Sequence, residues 1–183
     1  MPSPQTLDDL DRRRVAAWAA DCAERVLPLF EAELPDDDRP RDAIARARAY
    51  ARGELDAAGE IRRRFVAGRA ASDAVVPAAV AAARSAAQAA GVAHMGAHAL
   101  GAAAYAAKAV GLAASADADA AIAQELRWQL DHASEEVRAA LALLPPVGEH
   151  RAGPLGDGGL LATGVLGEAI RRLQADIGST SVA

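Results

Sequence analysis

The chain is predicted to be all-α, a single-domain helical bundle of about six or seven alanine-rich helices, on three observations. Nowhere do β-branched and aromatic residues alternate over several positions, so strand signals are almost absent. Hydrophobic residues make up 52% of the chain and aromatics only 3%, which leaves alanine, with some valine and leucine, as the apolar material. Alanine combines the best helix propensity with a small side chain, so this composition favours thin, closely approaching helices over a bulky core. Finally, apolar residues recur at helical spacing between proline, glycine and aspartate punctuation.

The first helix is expected from about Leu7 to Glu33, with Val15, Ala19, Ala23, Val26, Leu27 and Phe30 on one side. The stretch Leu34 to Pro40 breaks it and starts a second, with an Asp as N-cap and proline in the first turn, running to about Gly53. A third covers Asp56 to Ala71, and a fourth begins near Ser72-Asp73, placing Pro77 in its first turn. Gly91 either separates the fourth from a fifth or is absorbed into one long helix that ends near Ala114. After Ser115-Ala116-Asp117, the residues Ile122, Leu126, Leu130, Ala133, Val137, Leu141 and Leu144 give the clearest amphipathic helix, stopped by Pro145-Pro146. A Pro/Gly-rich connector, expected to be a loop or mobile linker, leads to a last short helix from about Leu160 to Ile177 and a disordered GSTSVA tail.

A chain of 183 residues supports one real core, whereas two halves would each be marginal. The expected division is a helical domain over 1–146, followed over 147–183 by connector, short helix and tail. The net charge of −5 argues against a nucleic-acid partner, which needs a basic surface, and suits a basic protein partner instead. Cys22 is the only cysteine, which excludes a disulfide framework and a thiolate zinc cluster and fits a cytoplasmic location. The opening MPSPQTLDDLDRRR has no basic-then-apolar signal, and the alanine-rich stretches are too weakly hydrophobic to span a membrane.

Four groups of residues bear on function. In VAHMGAHALG, His94 and His98 lie four apart, and a helical wheel extends them through Tyr105 and Lys108 into one polar seam. Two imidazoles at that spacing can share a metal, with His132 as a third ligand if the fold supplies it. The stretch lacks the Glu of HExxH, so the favoured reading is structural: His94, His98 and Tyr105 hydrogen-bond across a helix interface that Gly96 and Gly101 allow to close. Trp128, near Glu125 and His132 and opposite Leu126 and Leu130, must meet another helix or a partner. Trp18 shares its stripe with Cys22, Arg25 and Leu29 and reads as core. Asp36, Asp37 and Asp38 form the densest acidic run, read as a solvated loop whose last residue caps a helix, or as a patch that steers a basic partner. Paired catalytic carboxylates, a nucleophile elbow and a phosphate-cradling loop are not recognisable, and no cofactor is expected.

The segments WAADCAERVLPLFE, DDDRPRDAIARARAYARGE, AHMGAHALGAAAYAAKAVG and ELRWQL, in that order, resemble the immunity-protein-5-like family of bacterial immunity proteins. The matching positions include Trp18, Cys22, Arg25, Pro28, Asp38 to Arg41, His94, His98, Tyr105, Lys108 and Trp128. The resemblance implies a small cytoplasmic protein that binds a cognate toxin and blocks it, and the leading expectation is a monomer or homodimer that acts by stoichiometric binding and is not an enzyme. The resemblance transfers no catalytic residues. On the residues, Asp36, Asp37, Asp38, Glu125, Trp128 and His132 are the candidate contacts. Two other readings stay open: a metal protein or enzyme using His94 and His98, and a helical scaffold or oligomerisation module.

Overall fold

The computed structural model describes residues 3–63, 66–114 and 116–180. Among them the secondary structure is helical, with one isolated β-bridge between His150 and Gly156. The helices are α1 (Asp9–Glu31), α2 (Arg39–Ala51), α3 (Ala57–Arg63), α4 (Val66–Asp73), α5 (Pro77–Gly91), α6 (His98–Ala113), α7 (Ala118–Asp131), α8 (Glu135–Ala142) and α9 (Gly164–Thr180). The long α1 and the pair α5 and α6 form the centre, with α2 and α4 on one flank and α7 to α9 on the other.

Small side chains set the packing of that centre. Almost every alanine of α5 and α6 is buried, and the two backbones come close enough for Ser85 Oγ to donate to the carbonyl of Ala102 at 2.7 Å. Gly101 is part of the same approach: a Cβ there would sit 2.2 Å from Gln88 Oε1 and 2.9 Å from Leu161 Cδ1. Gly96 closes a different contact, against Leu7 of the N-terminal segment.

Several boundaries differ from the sequence reading, each for a local reason. The expected third helix is two, α3 and α4, and Ser72-Asp73 ends α4 instead of starting the next. Pro77 is itself the first residue of α5, where its missing N–H costs nothing. Asp38 occupies the N-cap of α2 without a side-chain capping bond; Asp37 Oδ1 accepts from the Arg39 amide at 3.1 Å instead. Helix α5 stops at Gly91, because the amides of Gly96 and Ala97 donate to the carbonyls of Thr6 and Gln5, both at 3.0 Å, and so are lost to a continuing helix. The long amphipathic helix is α7 plus α8, divided at His132 to Ser134, with Ser134 Oγ accepting from the Val137 amide. At the end of α7 the orphan Gln129 carbonyl is met by Trp18, while the Trp128 and Leu130 carbonyls, which accept from the His132 and Ala133 amides, take a second bond from the His132 and Arg138 side chains.

The Pro/Gly-rich connector is a fastened loop. Val147, Leu155, Leu161 and Ala162 are buried in the core, with Leu166, Ile170 and Leu173 of α9 beside them. Gln5, fully buried, ties it down: its Nε2 donates to the Ala152 carbonyl at 2.6 Å and its Oε1 accepts from the Leu155 amide at 3.1 Å. Of the GSTSVA stretch, 178–180 continue α9 and 181–183 lie outside the described residues. Gln5→Ala removes both ties and leaves the buried Leu155 amide unmet, at roughly 1–3 kcal/mol, while the exposed Ala152 carbonyl keeps His150 Nδ1 at 2.9 Å. The expected outcome is faster tryptic cleavage after Arg151, with a smaller change in the hydrogen exchange of α5 and α6.

Candidate functional site

Helix α1 carries Trp18, Cys22 and Arg25 at helical spacing, so all three face α7. On α7, Glu125 and Gln129 are one turn apart and look back. Trp18 Nε1 donates to the Gln129 carbonyl at 2.8 Å. Arg25 Nε donates to both oxygens of Glu125, at 3.0 and 3.2 Å, and Gln129 Nε2 donates to Glu125 Oε1 and to the Ala103 carbonyl, both at 3.1 Å. Gln129 Oε1 is buried without a partner among the described residues, because turning the amide over would aim that oxygen at two acceptors. The arrangement is a polar clamp: a carboxylate only 3% exposed, covered by a guanidinium that is 39% exposed.

Above the clamp lies an aromatic stack. The Arg25 guanidinium sits 3.8 Å from the Trp128 ring centroid, and the His132 ring stacks on Trp128 at 3.9 Å and 21°. Two planar groups so near one centroid cannot share a face, so the indole is held between them. His132 Nδ1 lies 2.8 Å from the Trp128 carbonyl, which can only accept, so Nδ1 is the protonated nitrogen. Trp128 is half-buried and His132 exposed, so the stack presents a fixed aromatic edge to solvent. Glu125 reaches the surface only through Arg25.

Cys22 is fully enclosed beneath this surface. Burial pushes its thiol well above its usual range, and the carboxylates of Glu125 and Asp21 push the same way. A thiol held protonated and covered is inert. A thiol-specific reagent at mildly alkaline pH is expected to leave Cys22 unmodified in the native protein and to react fully once the chain is denatured.

The histidine seam is not one face of one helix. His94 is exposed in the turn before α6, while His98 opens α6 half-buried, the rings 6.4 Å apart. His98 does bridge helices, with Nδ1 2.8 Å from Gln88 Oε1 of α5, and so donates there. His94 and Tyr105 make no side-chain hydrogen bond among the described residues, which corrects the expected three-residue network. The physical reason is the early end of α5, which takes His94 off the wheel. Among the described residues no group of three or more His, Cys, Asp or Glu is gathered for a metal ion.

In the acidic loop, Asp36 and Asp38 are exposed, whereas Asp37 is engaged by Arg39, which also reaches Asp73 of α4 at 2.6 Å. Hydrogen bonds from Arg39 hold the Asp37 carboxyl below its ordinary value of 3.8. The stability it contributes is therefore present above that value and is lost as pH falls through the lowered one. Asp37→Asn is expected to cost less than about 1 kcal/mol at neutral pH, given the partly exposed pair. The difference from wild type should vanish in acid unfolding curves.

Residues 5–136 match the family model described as "Imm-5 like putative immunity protein". The chain belongs to that family. The matched span of this immunity-family chain takes in the clamp, the aromatic stack, the acidic loop and the histidine turn, and stops at the start of α8. No curated protein and no solved structure matches it. No helix of the described residues is long and apolar enough to cross a membrane. Gln129 is the member of the site that sequence reasoning passed over. Its signal was there: a polar residue one turn from Glu125, on the buried side of α7 with Leu126 and Leu130.

Proposed function

We propose that this protein neutralises a bacterial toxin by stoichiometric binding, with the Trp128 stack as the anchor of its contact surface. Membership of an immunity-protein family over residues 5–136 is the observation that carries the reading. The stack supports it physically. An aromatic edge already fixed between Arg25 and His132 loses little entropy on docking, and tryptophan and arginine are the side chains most often found as interface anchors. His132 leaves its Nε2 for a partner, as an acceptor when the ring is neutral.

Asp36 and Asp38, together with the net charge of −5, steer a basic partner toward the molecule. The test is co-expression with the toxin-like product encoded beside it. Rescue of growth and a co-purifying complex are expected; neither rescue nor complex would refute the reading. Steering adds a kinetic signature: the association rate should fall as salt rises, and a salt-independent rate would remove the acidic loop from the account.

A further inference from the structure

A second surface lies on other elements. Between α5 and α6 runs a groove of about 560 Å³ whose apolar bed and lips include Val75, Leu112 and Leu160. These three are 84%, 47% and 59% exposed and gather around one groove as an apolar patch instead of lying scattered. Its lips are not loose chain. The amides of Val75 and Val76 donate to the Glu33 carboxylate at 2.7 and 3.0 Å, and the Leu160 lip belongs to the loop that Gln5 fastens.

Two cations, Arg84 and Lys108, line the same groove, and neither forms an ion pair with a described residue. Arg12, Arg13, Arg25, Arg39, Arg46 and Arg48 by contrast all hold carboxylates, so the groove cations are among those left for a partner. The third polar group is Tyr105. It is only 8% exposed, it lines the groove, and its hydroxyl has no hydrogen-bond partner among the described residues. Burial pushes the phenol up, against the pull of Arg84, which keeps the hydroxyl protonated and able to donate.

We propose that this groove docks an acidic, aliphatic segment of a partner protein, whose carboxylate meets Arg84, Lys108 and the Tyr105 hydroxyl while its apolar side chains cover Val75, Leu112 and Leu160. Charge complementarity selects that occupant. Unpaired cations at the rim of an apolar bed recruit a carboxylate flanked by aliphatic groups, and two cations are too few to neutralise a run of phosphates. The site does not depend on the toxin reading, and its polarity is opposite to that of the acidic loop.

The probe is a pair of labelled amphipathic peptides, one with leucines and glutamates at helical spacing and one with lysine at every glutamate position. They are titrated by fluorescence anisotropy against the full chain without any toxin. The glutamate peptide should bind saturably and more weakly as salt rises. The double substitution Arg84→Glu with Lys108→Glu should weaken it about tenfold or more and turn preference to the lysine peptide, about 1.4 kcal/mol being one decade. Leu112→Asp should abolish binding of the glutamate peptide, and Tyr105→Phe should weaken it. Melting curves confirm that the variants are folded. The proposal is overturned if the glutamate peptide fails to bind, if the two peptides bind alike, or if charge reversal has no effect. It is likewise overturned if anionic vesicles compete the peptide away, or if sedimentation shows a dimer that Leu112→Asp dissolves.

Discussion

Replacing Trp18 by alanine is expected to lower the unfolding free energy by about 3–5 kcal/mol, the range for deleting a buried tryptophan from a core. The side chain is 2% exposed, and in a bundle built from alanine there is little neighbouring bulk to collapse into the space. Its nitrogen also has a task that volume does not replace. By donating to the Gln129 carbonyl it satisfies one of the orphan groups at the end of α7. Trp18→Phe separates the two contributions: it keeps part of the bulk, loses the donor, and should cost about 1–3 kcal/mol for the buried carbonyl together with whatever void remains. Urea unfolding of wild type and both variants measures this. Equal stabilities for tryptophan and phenylalanine would show that the hydrogen bond contributes nothing.

The second large effect is an asymmetry within the clamp. Arg25→Ala strands a carboxylate that is 3% exposed, with Gln129 as its remaining partner, whereas Glu125→Gln leaves an arginine that is 39% exposed and can take up water. Breaking a buried pair from the side that leaves the charge inside costs several kcal/mol, reduced here because Arg25 is near solvent; about 2–3 kcal/mol is expected for Arg25→Ala. Glu125→Gln should cost about 1 kcal/mol, since the amide oxygen can still accept. The double variant should be less damaging than the sum, and the double-mutant cycle reads the coupling directly. Additive costs would show that the two side chains act independently.

Much of the fold was legible because helical periodicity and punctuation are local. Asp117 caps a helix where the start signal put it, and Trp18 falls in the core as its stripe implied, whereas Ser134 caps α8 inside a stretch whose periodicity reads as one helix. The failures arise where distant chain decides. Nothing near His94 says that Gln5 and Thr6 will claim the amides of Gly96 and Ala97 and end the helical register there. Nor can the composition of the connector reveal that a buried glutamine far earlier in the chain holds it down. At the candidate site, Trp128, Glu125 and His132 could be named from about two turns at the end of α7 and its cap. The depth of Glu125 and the placement of Arg25 over the indole could not, because both depend on how α1 crosses in front of it.

The central claim is that the stack anchors a toxin. Calorimetric titration of the co-encoded toxin with wild type and Trp128→Ala tests it most directly, with the variant's melting curve taken alongside. One toxin per chain is predicted, and the half-buried Trp128 should be replaceable with little loss of stability. Affinity should fall by about thirtyfold or more, the effect of losing an anchor worth at least about 2 kcal/mol. A Trp128→Ala variant that melts normally and binds as tightly as wild type would contradict the account.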